Sequence, residues 1–289
     1  MTADQAAGLR QAPGGRPAVH VLAIASGKGG VGKTTISVNL SLALCQLGQH
    51  VMLLDADLGL ANVDVLLGLQ PRFNLSHVVK GECRLRDTII SGPHGLQIVP
   101  AASGQQQMAE LTTVQHAGLI EAFSELERNV DTLVIDTGAG ISAGVTTFVQ
   151  AAQDVLVVAC NEPASITDAY ALIKVLSRDH GVRRFQIVAN QVRSTSDGGA
   201  VFENLRRVAE RFLDVQLVHL GNIPHDEWIR RAIRRQRAVV DLYPGSVASG
   251  AFRVLARKIP RLPVTPGARG NLEFFVERLV APAAAELHP

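Results

Sequence analysis

The residues with the clearest chemistry lie in one glycine-rich segment, residues 27–35, which reads G-K-G-G-V-G-K-T-T. It follows an apolar run, residues 19–26, and precedes a segment with helical periodicity. Glycines let backbone N–H groups converge on phosphate oxygens, and the N-terminus of a following helix adds a favourable dipole. Lys33 is placed to neutralise the β- and γ-phosphates of a nucleotide, and Thr34 to offer Mg²⁺ a hydroxyl. The segment therefore predicts a nucleoside triphosphate site formed by Gly27, Lys28, Gly29, Gly30, Val31, Gly32, Lys33, Thr34 and Thr35.

Carboxylates follow two further apolar runs. Asp136 ends the run T-L-V-I-D, the arrangement in which a Walker B aspartate reaches Mg²⁺ through water. Asp55 and Asp57 come after another run and are two residues apart, so they share a face if the strand persists. The T-G-A-G segment that follows Asp136 contains glycines, whose backbone is free to move when a γ-phosphate binds or leaves. We predict that residues 137–140 form a nucleotide-sensing switch.

The elements that must position these residues are visible as short apolar runs that alternate with helical-period segments. Strands that are apolar on both faces are typical of a parallel sheet covered by crossover helices. The pattern predicts an α/β fold with a doubly wound, mostly parallel sheet flanked by helices, which binds its ligand beyond the carboxyl ends of the strands. The predicted strands are VHVLAIAS, HVMLLDA, LQIVPAA, TLVIDT, DVLVVAC, FQIVANQV and QLVHLGNI.

Composition limits the class of protein. A chain of 289 residues with 47% apolar content can form one large domain with tails, and the formal net charge of +2 indicates no global attraction to nucleic acid. Three cysteines without a C-x-x-C pair indicate neither a disulfide framework nor a zinc knuckle. We found no signal-peptide pattern and no apolar run of about 18 residues, so a cytoplasmic location is expected.

Proline, glycine and polar residues mark the expected boundaries. Residues 1–18 are predicted to be a disordered tail, and residues 19–259 the catalytic domain. Residues 260–270 are rich in proline and glycine and are predicted to be a linker. Residues 271–289 are predicted to contain an amphipathic helix and a terminal tail.

The pattern K-G-G-x-G-K-T-[ST] resembles the deviant Walker A motif of the MinD/ParA/nitrogenase-iron-protein superfamily of P-loop ATPases. The resemblance implies a MinD-like fold, ATP hydrolysis, and a homodimer with ATP in which Lys28 contacts phosphates of the partner's nucleotide. The D-x-D-x-x-x-x-N pattern that begins at Asp55 resembles a second family motif. It implies that Asp57 orients the attacking water and that Asp55 helps to hold the magnesium shell. The expected catalytic residues are Lys28, Lys33 and Asp57, and the expected metal residues are Thr34, Asp55 and Asp136.

Other positions resemble family contacts to the base and to the second nucleotide. Asn190 ends one strand, and Pro224 and His225 end the next, as adenine-contacting residues do in the family. Glu162 resembles the position at which related dimers approach the partner's nucleotide. MinD-type sequences usually have proline where Gly138 stands, so this position departs from MinD itself.

The N-terminal tail resembles one branch of the superfamily, the FlhG/FleN-type flagellar number regulators. These carry a D-Q-A-x-x-L-R motif that docks onto the FlhF-type GTPase and stimulates its GTP hydrolysis. The resemblance implies that Gln5 positions water in the partner's site, and that the protein also restrains a flagellar master transcription activator of the FleQ type. The matching residues are Asp4, Gln5, Ala6, Leu9 and Arg10.

The C-terminal segment has a helical apolar face within an arc of about 140°, which Phe274 interrupts. Family resemblance implies that it targets the membrane surface, which places the protein at the membrane or cell pole peripherally. Its polar face is poor in lysine and arginine and gains little from anionic lipid. We expect the arginine-rich stretch at 230–237 to be a solvated face, and no direct nucleic-acid contact. The predicted membrane residues are Leu272, Phe275, Val276, Leu279 and Val280.

Two alternatives stay open on the sequence. A MinD- or ParA-type ATPase in division-site placement or DNA partition fits the nucleotide motifs almost as well, although residues 4–10 argue against it. An iron-sulfur carrier or reductase component would need paired cysteines at the dimer axis. Cys45 falls in the predicted helix after the glycine-rich loop and Cys160 ends an apolar strand, so a cluster is not expected.

Overall fold

A computed structural model describes residues 19–57, 62–100 and 130–262. The predicted N-terminal tail and C-terminal amphipathic helix lie outside these residues. The strands of the described part are β1 (His20–Ser26), β2 (Val51–Ala56), β3 (Ile90–Ser91), β4 (Gln97–Val99), β5 (Thr132–Ala139), β6 (Asp154–Cys160), β7 (Arg184–Val192) and β8 (Gln216–Pro224).

Helices connect most of these strands. They are α1 (Lys33–Gln46), α2 (Val63–Leu67), α3 (Leu75–Val79), α4 (Leu85–Thr88), α5 (Ala143–Ala151), α6 (Pro163–His180), α7 (Thr195–Phe212), α8 (Glu227–Arg234), α9 (Val239–Leu242) and α10 (Val247–Lys258). Two short 3-10 turns lie at Pro93–Gly95 and Ile259–Arg261. The second turn occupies the first residues of the predicted linker.

The strands form one sheet in the order β3-β4-β2-β5-β1-β6-β7-β8. Every neighbouring pair is parallel except β3 with β4. All seven predicted strands are present, and the predicted doubly wound, mostly parallel sheet is confirmed. The two-residue strand β3 was not predicted, because two residues at an edge carry no periodic signal.

Both faces of the sheet are buried, and β1 shows how alternation divides its residues between them. Val21, Ala23 and Ala25 belong to the core cluster that includes residues of α5, α6 and α7. Leu22 and Ile24 belong to the cluster on the other face, which includes residues of α1 and α10. Since successive strand residues point to opposite faces, a continuous apolar run supplies both cores. The phosphate-binding loop and both predicted carboxylate segments then fall at the carboxyl ends of three adjacent strands, β2, β5 and β1.

The described helices include none that is long and apolar enough to cross a bilayer.

Candidate functional site

The glycine-rich loop joins β1 to α1 and has a backbone that requires glycine at two positions. Gly30 has φ 79° and Gly32, the N-cap of α1, has φ 91°. Non-glycine residues adopt this left-handed region at a cost of about 1–2 kcal/mol. A Cβ built on Gly29 or Gly30 would meet no atom of the described residues within 4 Å. The loop therefore curves around an open space, as a phosphate cradle requires.

Neighbouring elements hold the loop on its other sides. A Cβ on Gly27 would lie 1.9 Å from the backbone oxygen of Asp168 in α6, so only glycine fits against this helix. The side chain of Asn190, at the end of β7, donates its Nδ2 hydrogen to the carbonyl oxygen of Val31 at 2.7 Å. Ser26 donates its hydroxyl to the carbonyl oxygen of Lys28 at 2.8 Å. These contacts preorganise the loop in one conformation.

Gly32 offers a direct test of this preorganisation, since a Cβ there would lie 2.5 Å from Nδ2 of Asn190. Gly32→Ala is expected to combine backbone strain with displacement of Asn190, destabilise the fold by about 1–3 kcal/mol and weaken ATP binding. Thermal unfolding and nucleotide titration measure the two effects.

Gly29→Ala is the matched control, because its φ is outside the left-handed region and its Cβ meets open space. This variant should unfold at the wild-type temperature and affect only ligand binding. A Gly32→Ala protein with wild-type stability and ATP affinity would show that the loop is not held as described.

Asp136, a predicted metal residue, is fully buried in β5. Ser37 donates its hydroxyl to Oδ1 of Asp136 at 2.7 Å, and the Thr34 side chain also favours the ionised form of this carboxylate. Burial raises the pKa of Asp136 to about 6, opposed by the side chains of Thr34 and Ser37 and by the charge of Lys33. Within the described part of the chain, Oδ2 of Asp136 has no hydrogen-bond partner. A buried carboxylate oxygen beside a threonine hydroxyl and a lysine fits a hydrated Mg²⁺ ion, which keeps most of its waters.

Asp55 pairs in register with Asp136 across the neighbouring strands β2 and β5. Its carboxylate accepts backbone N–H groups of Asp57 at 3.1 Å, and of Asn62 and Val63 at 3.2 Å each. Burial first, and then the charge of Asp136, raises the pKa of Asp55 to about 7. Both oxygens of Asp55 are thus engaged by the backbone that follows β2. Its proposed part in the magnesium shell stays a prediction.

Asp57 is half-buried and lies beside the predicted switch. A Cβ built on Gly138 would be 3.6 Å from Oδ1 of Asp57, which places the carboxylate against the end of β5. The switch backbone is tied to β1, because Gly140 donates its N–H to the carbonyl of Ser26 at 2.9 Å. Gly140 itself has φ 92°. The structure thus brings Asp57 and the predicted switch together at the mouth of the loop.

Lys28 and Glu162 are paired within the monomer. Nζ of Lys28 is 3.2 Å from Oε2 of Glu162, and their side chains are 40% and 63% exposed. An ion pair this exposed contributes about 0–1 kcal/mol. Lys28 is therefore held only weakly in its own protomer and can leave for another partner.

The predicted base-binding residues occupy the ends of β7 and β8. Asn190 is buried and its amide nitrogen is already used by Val31, so it positions the loop in this structure. Pro224 pairs in register with Val192, and the exposed His225 donates its backbone N–H to the carbonyl of Val192 at 2.8 Å. Their contact with adenine stays a prediction.

Sequence reasoning missed two contributors to the site. Ser37 lies one helical turn after Lys33, a spacing that marks a shared helix face but gives no sign of a carboxylate partner. The close approach of Asp168 to Gly27 depends on how α6 packs, which local sequence does not report. The motif residues Asp4 to Arg10 and the apolar positions Leu272 to Val280 lie outside the described residues.

Comparisons with known proteins all place this chain among ParA- and MinD-like proteins. A ParA family model, described as the NUBPL iron-transfer P-loop NTPase, matches residues 18–260. The antiactivator FleN of Pseudomonas aeruginosa is 58% identical over 262 residues, which cover 91% of this chain and 94% of that protein. The flagellum site-determining protein YlxH of Helicobacter pylori is 35% identical over 239 residues, which cover 81% of this chain and 80% of that protein. The structure of septum site-determining protein MinD from Pyrococcus horikoshii OT3 with Mg-ADP aligns with TM-score 0.68 and 28% identity, covering 84% of this chain and 97% of that one.

A parallel sheet whose first strand runs through a glycine-rich loop into a helix, beside a buried carboxylate, defines a P-loop ATPase. With these relatives, the chain belongs to the MinD/ParA family, in its FlhG/FleN branch, and its cofactors are ATP and Mg²⁺. The predictions of fold class, family, ATP hydrolysis and cofactors are confirmed.

The family model is described as an iron-transfer protein, but two cysteines of this chain are poorly suited to bind iron. Cys45 and Cys160 are buried in the core of the chain, and burial raises the pKa of each thiol to about 11. Thiolates are the form that binds iron, and these groups favour the thiol. No group of three or more potential metal-ligating side chains occurs within the ranges that the structure describes. The buried thiols of Cys45 and Cys160 do not fit the ligands of an iron-sulfur cluster.

Proposed function

We propose that this chain is an ATP-dependent dimerising switch that controls the number or placement of flagella. The match to the antiactivator FleN along 91% of the chain carries this proposal. The name of the Helicobacter pylori relative, a flagellum site-determining protein, points to the same process. Hydrolysis is slow in this proposal and acts as a timer that returns the protein to its monomeric state.

Dimerisation depends on Lys28. In the monomer its ammonium group contacts Glu162 at the surface, at the mouth of the nucleotide loop. When a second protomer approaches, Lys28 exchanges this weak contact for the phosphates of the partner's nucleotide. A charge supplied across an interface in this way stabilises the transition state of phosphoryl transfer. Glu162, once released, lies at the same interface and approaches the partner's nucleotide.

Hydrolysis uses the carboxylates at the ends of β2 and β5. Asp57 orients water toward the γ-phosphate, and Lys33 neutralises charge on the phosphates that the loop cradles. Thr34 and Asp136 would hold Mg²⁺, directly and through water, and the ion shields phosphate charge when it is bound. Asp55 fixes the backbone at Asp57, Asn62 and Val63, because its carboxylate accepts their three N–H groups. Adenine packs against Pro224 and His225, and Asn190 closes that side of the loop.

The nucleotide state selects partners through the two ends of the chain. The motif at residues 4–10 docks onto an FlhF-type GTPase, where Gln5 completes the partner's site. The dimer restrains a flagellar master transcription activator of the FleQ type. Residues 271–289 bind the membrane surface and hold the protein peripherally at the membrane or pole. Two weak anchors in one dimer raise avidity by roughly 10²–10⁴.

A second function, division-site placement, is favoured by the fold similarity to MinD from Pyrococcus horikoshii OT3. The nucleotide site does not separate the two functions. Gly138 stands where MinD-type sequences have proline, and a Cβ there would make only ordinary contacts, at 3.4 Å to Val145 and 3.6 Å to Asp57. The N-terminal motif therefore discriminates between the two functions better than the site does.

A peptide of residues 1–20 tests the proposal directly. It is expected to accelerate GTP hydrolysis by the cognate FlhF-type GTPase, because a short peptide can fold on a partner at some ordering cost. Leu9 lies three residues after Ala6, so one helical turn would present both as apolar anchors. Gln5→Ala should preserve binding and lose stimulation, whereas Leu9→Asp should lose both. Phosphate release and fluorescence anisotropy measure the two properties.

A peptide with Thr2→Ala outside the motif is the matched control and should behave as the unchanged peptide. If neither Gln5→Ala nor Leu9→Asp alters the partner's hydrolysis rate, the flagellar proposal fails and division-site placement becomes the better account.

A further inference from the structure

Helix α8 carries a concentration of positive charge that the nucleotide site does not use. Residues 227–237 contain five arginines and one glutamate, a net charge of 5 − 1 = +4. The formal charge of the whole chain is +2, so the remaining residues sum to −2. The surplus positive charge of the protein is therefore gathered in this one stretch. All five arginines are exposed, at positions Arg230, Arg231, Arg234, Arg235 and Arg237.

Most of this charge is not neutralised by the fold. Arg231 is 3.6 Å from Glu227, and Arg237 pairs with Asp241. Among the described residues, the structure gives no acidic partner to Arg230, Arg234 or Arg235. The helix packs on the domain through Ala232, which is buried, and Ile229. The arginines without partners thus lie on a surface that faces away from the core.

Exposed apolar side chains lie at the start of α8 and at the start of α10. Trp228 is 40% exposed, and its ring packs against Tyr243 at an interplanar angle of 47°, with ring centroids 4.5 Å apart. The guanidinium carbon of Arg231 lies 4.6 Å from the centroid of the Trp228 ring. Val247, the first residue of α10, is 73% exposed. The Asp226 carboxylate brings these helix starts together, because it accepts the N–H of Trp228 at 2.9 Å and that of Ala248 at 3.0 Å.

We propose that this surface, Arg230, Arg234 and Arg235 with Trp228 and Val247, docks on anionic phospholipid bilayers. Anionic headgroups complement the unpaired arginines, and each basic residue near such a surface strengthens binding by about fivefold. Tryptophan is enriched at membrane interfaces, where its ring lies at the level of the headgroups. Duplex DNA would be bound through phosphate contacts alone and gives no reason for exposed Trp228 and Val247 beside the arginines. Charge and apolar exposure together favour the bilayer.

This surface goes beyond the membrane contact proposed for residues 271–289, whose polar face is poor in basic residues. The described chain ends at Leu262, shortly after α10 (Val247–Lys258). Eight further residues, 263–270, can span at most about 29 Å. A tether of this length limits how far the C-terminal segment can lie from Leu262. The α8 surface would supply electrostatic attraction and the segment apolar insertion.

Trp228 is the only tryptophan of the chain, so its fluorescence reports on this surface directly. The full-length protein, with Mg²⁺ and a nonhydrolysable ATP analogue, is mixed with vesicles of phosphatidylcholine alone or with an equal amount of phosphatidylglycerol. The anionic vesicles are expected to shift Trp228 emission to shorter wavelength. The triple variant Arg230→Gln, Arg234→Gln and Arg235→Gln should bind them about a hundredfold more weakly.

The matched control removes three exposed arginines from α6 and α7, as Arg178→Gln, Arg207→Gln and Arg211→Gln. It should bind anionic vesicles within about threefold of wild type, and both triple variants should keep wild-type ATP hydrolysis, because none of these residues lies at the nucleotide site. Equal loss in both triple variants would overturn the proposal, since it would reflect net charge alone. The proposal would also be overturned if Trp228 emission did not change and the α8 triple variant still bound anionic vesicles. In that case the membrane contact proposed for residues 271–289 would remain. A third result would overturn the proposal: the wild-type protein binds duplex DNA, the α8 triple variant does not, and vesicles cause no shift in Trp228 emission.

Discussion

Replacing Lys28 with alanine is expected to reduce ATP hydrolysis by about 10³-fold and to abolish ATP-dependent dimerisation, while ADP affinity changes by less than about tenfold. The physical reason is that Lys28 points to Glu162 at the surface, at 3.2 Å, in a contact that contributes little to its own protomer. Removing the Lys28 side chain should therefore weaken mainly the proposed contact with the partner's nucleotide. Phosphate release, sedimentation with ATP, and ADP titration measure the three properties.

Two variants make this prediction specific. Glu162→Gln removes the ion pair and keeps Lys28, so hydrolysis should stay within several-fold of wild type. Lys33→Ala should weaken ADP and ATP together, since Lys33 is buried at the start of α1 and acts on its own loop. If Lys28→Ala loses ADP affinity as severely as Lys33→Ala, then Lys28 acts within its own protomer.

Asp57→Ala is expected to bind ATP, accumulate as a dimer, and hydrolyse ATP about 10²–10⁴-fold more slowly. Only the carboxylate proposed to orient the water is lost, because the contacts of Asp136 with Ser37 and Thr34 do not involve Asp57. Size-exclusion chromatography in ATP and phosphate release test the two halves of this prediction. Asp179→Ala, an exposed carboxylate near the end of α6, is the control and should behave as wild type. A monomeric Asp57→Ala protein in saturating ATP would contradict the assigned role.

Much of the fold was predictable, since each central strand is a short apolar run that supplies both faces of the sheet. Residues 19–26 are an example, because their alternation assigns Leu22 and Ala23 to opposite cores before any packing is known. Strand β3 was not predictable, because its two residues pair antiparallel with β4 only once the edge of the sheet exists. Strand β4 is also shorter than the apolar run that predicted it.

The nucleotide loop could be predicted because its residues are contiguous and their order alone creates the cradle. The contacts that hold the loop come from far along the chain. Asn190 reaches Val31 across 159 positions, and Ser37 meets Asp136 across 99. Asp55 shows what spacing leaves out, because the sequence did not predict that its carboxylate accepts backbone N–H groups of Asp57 and Asn62. Which atoms satisfy a buried carboxylate depends on tertiary packing, not on spacing.

The exposed ion pair between Lys28 and Glu162 also has a kinetic consequence. Exposed side chains change rotamer within picoseconds to nanoseconds, so freeing Lys28 is much faster than any encounter between two proteins. Forming the proposed dimer therefore needs no slow opening step at this position, and its rate would depend on how often two ATP-loaded monomers meet. That frequency grows with the square of the local monomer concentration. Collecting the protein in one region of a cell would by itself raise the fraction that is dimeric there, without any change in total amount.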